Sequence, residues 1–169
     1  MKTLSIGLAS LSFAACALAD GRPVTILADA APGVELTVPQ DAKVTPLKEK
    51  TVIQTADMFL HVWPVQGAGT LDDAQLKLAD VVKGDVLKFS ASTTNALTVA
   101  GAPARLLSGK CVEADDGDPA AADVVLFAVG DRVYVACVHG EGNDASRERA
   151  PMLEVLRTAK RPPAKPAGQ

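Results

Sequence analysis

Aromatic side chains are scarce in this chain of 169 residues: one Trp, one Tyr and four Phe, 4% in all. A core built from such a sequence must come from Val, Leu and Ala. Positive charge is not in excess either, with 17 Lys and Arg against 20 Asp and Glu. The two signs are interspersed and no basic stripe exists, so nucleic acid is not expected as a partner. Histidine is limited to His61 and His139, the only side chains whose unperturbed titration lies near neutral pH.

The motifs of common chemistries are missing as well. Ser108 follows Leu106 and Leu107, so no nucleophile elbow surrounds it. Gln66-Gly67-Ala68-Gly69-Thr70 lacks the Lys and the spacing of a phosphate-binding loop. The C-x-x-C-H haem attachment motif is absent. Glu113, Asp115, Asp116 and Asp118 lack the spacing and closing Glu of an EF-hand and read as an acidic turn. The expectation is a protein without enzymatic activity and with no cofactor.

What the chain does have begins at its N-terminus. Lys2, an apolar run from Leu4 to Ala15, and Ala17-Leu18-Ala19 before Asp20 form the layout of a secretory signal peptide. The run is too short for a permanent membrane helix. The expected organisation is a signal peptide over 1–19, one domain over 20–160, and a disordered Pro-rich tail over 161–169. The location is then periplasmic or secreted. Phe13-Ala14-Ala15-Cys16 offers a second reading as a lipobox, with acylated Cys16 anchoring the protein to a membrane.

Apart from Cys16, the cysteines are Cys111 and Cys137. In an oxidising compartment the default for such a pair is a disulfide, and Cys111–Cys137 is the expected bridge. Both lie in strand-like runs with a third run between them. In a plain meander the outer strands stand about 9–10 Å apart, so the bridge would have to pass the end of a short middle strand.

The pattern of elements reads strands, helix, antiparallel strands, closing helix. Val34 to Val38 alternates and stops at Pro39; Thr51 to Thr55 and Met58 to Trp63 follow. Both faces of Met58 to Trp63 are largely apolar, as in a central strand. Thr70 caps a helix whose apolar positions are Leu71, Ala74, Leu78 and Val81, closed by Lys83-Gly84. Strands are expected over 86–92 and 96–100 with a turn at Thr94-Asn95, then over 104–113. A hairpin over 123–138 turns at Gly130-Asp131, and a helix spans about 145–160 with Pro151 awkward inside it. The fold class is α+β, a mainly antiparallel sheet packed by two helices.

This arrangement resembles the PsbP-like/DcrB-like group of small exported α/β/α sandwich proteins. The resemblance rests on Val34-Glu35-Leu36-Thr37-Val38-Pro39, on the charged helix after the next strand pair, and on Val99-Ala100-Gly101-Ala102-Pro103-Ala104 entering a long strand. The acidic turn, the hairpin carrying Tyr134 and the terminal helix complete it. It implies a PsbP-like sandwich and a role in binding or assisting another protein, here a periplasmic or envelope protein. It carries over no catalytic residue.

Two candidate sites follow from the residues themselves. His61 and Trp63 share a strand face, where they either pack beneath a helix or form a ligand-facing patch for a small molecule. Cys137 and His139 stand two apart on another strand; with Cys111 or Met152 nearby they would suit copper or zinc, and otherwise they are a structural cysteine and a surface histidine.

Overall fold

The structure is a computed structural model that describes residues 21–28, 31–55, 58–140 and 149–163, Pro32 through its backbone alone. The leader with its cleavage point and Cys16 lies outside the described residues. So do 145–148 of the expected last helix and the end of the Pro-rich tail.

The elements are β1 (Arg22–Ala28), β2 (Ala31–Val38), β3 (Lys43–Pro46), β4 (Thr51–Thr55), β5 (Met58–Pro64), α1 (Leu71–Val82), β6 (Val86–Val99), β7 (Ala102–Glu113), β8 (Pro119–Val129), β9 (Arg132–Gly140) and α2 (Arg149–Arg157). Strands β3 to β9 form one antiparallel sheet in the order β3-β4-β5-β9-β8-β7-β6. After β5 the chain passes through α1 to the far edge and meanders back until β9 lies beside β5. Strands β1 and β2 form a separate two-stranded sheet, and Glu35 of β2 also makes an antiparallel bridge to Lys160.

The period-two pattern of the central strands sends alternate side chains into two separate cores. On one face Met58, Leu60 and Val62 of β5 join Tyr134, Ala136 and Val138 of β9. They are covered by Met152, Val155 and Leu156 of α2 and by Ile26, Val34, Leu36 and Val38 of the β1–β2 hairpin. On the other face Trp63, Val135, Cys137, Val124 and Leu126 pack under Ala74, Leu78 and Val82 of α1. The α+β sandwich follows, with β5, β9 and β8 buried on both sides, as the apolar faces of Met58 to Trp63 foretell for β5.

Local chemistry fixes the helix ends. The Thr70 hydroxyl accepts from the Asp73 N–H at 3.1 Å, and the Asp73 carboxylate accepts from the Thr70 N–H at 3.0 Å, so Asp completes the capping box. Helix α2 begins two residues before Pro151, which places the proline in the first turn, where no N–H partner is lost. Arg149 at that end reaches the buried Asp123 of β8 at 2.9 Å.

The expected turn at Thr94-Asn95 is corrected. β6 runs through it for 14 residues, with Thr94 opposite Leu107 and Asn95 opposite Leu106. The reversal comes at Ala100-Gly101, where both residues have positive φ (54° and 75°) as a two-residue primed hairpin turn requires. Gly101 supplies that conformation freely and Ala100 adopts it under strain. The short strand β3, closed by Pro46, has too few residues to show a period.

Candidate functional site

The face of the sheet beneath α1 is not fully covered by the helix. Beyond its C-terminus lies a row of rings from β5 and β9, set by a register that puts Phe59 opposite His139, His61 opposite Cys137, and Trp63 opposite Val135. Phe59 and His139 stack with centroids 5.5 Å apart, His139 and His61 meet edge to face at 4.9 Å, and His61 and Trp63 lie 5.7 Å apart.

Two charged residues close over the row. Gly84 ends the turn after α1, and Asp85 follows it, its N–H bonded to the Val82 carbonyl at 2.9 Å. Lys50 enters from the loop before β4. Its ammonium lies 2.5 and 2.6 Å from the Asp85 carboxylate oxygens and 3.3 Å from His61 Nδ1. His61 Nδ1 is itself 2.7 Å from Asp85 Oδ1. Lys50 also stands 5.4 Å from the centre of the Trp63 ring, within reach of a cation–π contact.

The electrostatics follow from this packing. Burial pushes the Asp85 carboxyl upward, but hydrogen bonds from His61 and Lys50 outweigh it and leave the group below the ordinary carboxylate value. Burial, aided by the neighbouring His61, lowers His139 to about 4. His139 is therefore a neutral imidazole at physiological pH. Among the described residues, neither His61 Nε2 nor His139 Nε2 has a hydrogen-bond partner, although both atoms are buried. Ligand-capable atoms of His61, Asp85 and His139, one from each, lie within 4.8 Å of one another.

Next to the cluster a groove of about 950 Å³ runs between α1 and the β3–β4 turn. Trp63, Val65 and Val81 form its apolar floor, and Leu27 and Leu47 stand at its sides 53% and 50% exposed. Lys48, Glu49, Lys50, Lys77 and Asp80 supply polar groups around it. Trp63 is itself 6% exposed, so it is a core residue that shows the groove one surface.

The histidine and cysteine candidates divide accordingly. Trp63 and His61 share a strand face, but Trp63 walls the groove while His61 is set behind Lys50. Cys137 and His139 also share a face, yet His139 gathers with His61 and Asp85 and not with the thiol. Burial pushes the Cys137 thiol well above its ordinary value and raises Cys111 too, which suits packing better than thiolate ligation. The expected Cys111–Cys137 disulfide is not formed. Both are buried free thiols, and β8 lies between their strands, with Cys111 opposite Ala120 and Cys137 opposite Val124. That stagger along β8 adds to the two-strand separation and removes the route past a short middle strand.

Sequence reasoning missed Lys50 and Asp85. They are 35 positions apart, and nothing local marks them as partners. The one available signal was an acidic residue directly after a helix-terminating Gly and directly before a strand, a place that points a side chain at the sheet beneath the helix end.

No family model matches the sequence, and no curated protein sequence matches it. Solved structures do. The cyanobacterial PsbP (CyanoP) of Synechocystis superposes with a TM-score of 0.58 at 13% identity, over 89% of this chain and 98% of that one. The chain has the PsbP/Mog1 fold. The Ran-binding protein Mog1p of Saccharomyces cerevisiae matches with a TM-score of 0.50 at 12% identity, covering 83% of this chain and 94% of its own. At such identities the PsbP/Mog1 likeness concerns the fold alone, an α+β sandwich. Among the described residues, no helix is long and apolar enough to cross a membrane.

Proposed function

We propose that this protein is an exported, non-catalytic accessory protein that holds a segment of another periplasmic or envelope protein in the groove beside α1. The observation that carries this reading is the pair Leu27 and Leu47, both half-exposed, flanking a Trp63 floor inside a rim of charged groups. An apolar floor with apolar flanks inside a polar rim matches the composition of protein-binding surfaces. A yeast protein of the same fold described as Ran-binding lends support to a binding role. The leader supports export, with membrane attachment only if Cys16 is acylated. The non-enzymatic reading is supported by His61 and Asp85, which are tied to Lys50 instead of facing an open pocket.

Site-specific photocrosslinking tests the proposal. A crosslinking residue at position 47 should trap a discrete partner in cell-envelope preparations, and Leu27→Asp should abolish that adduct. A probe at Leu76, 87% exposed on α1 and away from this groove, is the control. An adduct from position 76 alone, or one at 47 that survives Leu27→Asp, would refute the groove as the binding surface.

A further inference from the structure

Three buried polar features have no evident structural duty: His61 Nε2, His139 Nε2 and the crowding of both rings against one carboxylate. Imidazoles packed for stability bond both nitrogens where they can, because a buried polar atom left unpaired is costly. Here two such atoms are unpaired within one cluster, among the described residues. A lone cation already sits in it. The Lys50 ammonium touches both Asp85 oxygens and approaches His61 Nδ1, and Lys50 reaches them from the loop before β4, its side chain 18% exposed.

We infer that His61, Asp85 and His139 form a binding site for a divalent transition-metal ion, which takes the place of the Lys50 ammonium. Two imidazoles and a carboxylate favour zinc, copper(II) or nickel over calcium or magnesium, whose preferred ligands are all oxygen. The donor atoms lie within 4.8 Å of one another, so small side-chain rotations bring them to bonding distance of one ion. Lys50 reaches the cluster from its loop and leaves by side-chain rotation, with no strand displaced. β5 and β9 hold the two imidazoles on a rigid sheet, directly hydrogen-bonded to each other. Cys137, on the same face, is not a ligand in this assignment.

The test is titration of the full chain, freed of any polyhistidine tag, with zinc, nickel and cobalt(II) in competition with a chelator. One ion should bind per chain, and calcium and magnesium should not compete. His139→Ala should weaken binding at least tenfold. Lys50→Ala should tighten it severalfold, because the competing ammonium is gone. Circular dichroism establishes that each variant is folded. If His61→Ala does not fold, His139→Ala and Lys50→Ala still decide the matter. Cobalt(II) should show visible ligand-field bands and no thiolate charge-transfer band. Absence of stoichiometric binding, an unchanged affinity in His139→Ala, weaker binding in Lys50→Ala, or a thiolate band that assigns the ion to Cys137 would each overturn the inference.

Discussion

Replacing Trp63 by Ala separates its two surfaces, the one in the core and the one in the groove. The indole is 6% exposed and packs with Val135, Cys137 and α1. A buried Trp removes on the order of 200 Å² from water, which at about 25 cal/mol per Å² amounts to roughly 5 kcal/mol. The Ala that replaces it recovers only a small part, and incomplete collapse leaves a cavity. The expected loss is therefore about 3–5 kcal/mol, the usual range for truncating a large core aromatic. The Lys50 contact adds less than about 1 kcal/mol, because Lys50 keeps its bonds to Asp85. For a domain of this size the melting temperature should fall by about 10 °C or more. Thermal melts and urea titrations of Trp63→Ala and Trp63→Phe measure it, with Trp63→Phe retaining more than half the stability. A Trp63→Ala protein that melts with the wild type would refute the assignment of this side chain to the core.

Acid should destabilise the metal-free protein through His139, which faces His61, Asp85, Lys50 and Asp115. Below its ordinary 6.5 the unfolded chain binds a proton that the folded chain refuses until about pH 4, so stability is complete above pH 6.5 and falls as pH drops through that window. The loss should reach about 2 kcal/mol by pH 5 and about 3 kcal/mol by pH 4. Asp85, whose folded value is depressed, adds a loss of the same sign below its ordinary 3.8. Urea melts in a chelator should show this slope, and His139→Leu should flatten it. Arg149→Met leaves the Asp123 carboxylate buried without its cation and should cost about 3 kcal/mol by the same melts. Ala100→Asn should gain up to about 1 kcal/mol, because Asn tolerates the left-handed conformation that strains Ala. Cys111 and Cys137 should both be alkylated after unfolding without reductant, and neither should react in the native state.

What could be read from the sequence follows the range of the interactions that fix each feature. Helix α1 was legible because its cap, its apolar stripe and its stop all lie within 15 residues, and Asp73 closed the box even though Glu is the usual partner. The two-sided burial of β5 was legible from its own composition. The continuity of β6 was not. Thr94-Asn95 has turn chemistry, but cross-strand pairing with β7 over Leu106 and Leu107 holds those residues extended. The separation of β1 and β2 into their own small sheet left no local mark, because it depends on which sheet α2 shares. For the site, His61, Trp63 and His139 stood out as rare residue types on apolar strands. Their common location depended on β9 pairing with β5 across the 67 intervening residues 65–131, and the disulfide expectation failed for the same reason: register along β8, invisible in either strand alone, decides the distance.

The long β6 strand has a consequence for how this protein survives as a separate molecule. Among the described residues it is an edge, with β7 as its sole partner in the sheet, and a strand edge 14 residues long is a template on which a second chain can add. Two register shifts, between Leu87 and Ser90 and between Ala91 and Thr93, break that edge near its base, and Lys88 with φ 53° turns the backbone out of line there. The uninterrupted portion from Thr93 to Val99 begins with Thr93, Thr94, Asn95 and Ala96, all exposed. An incoming strand would find hydrogen bonds in that stretch but little apolar surface to cover. The protein thus keeps an open sheet edge that resists fibril-like growth.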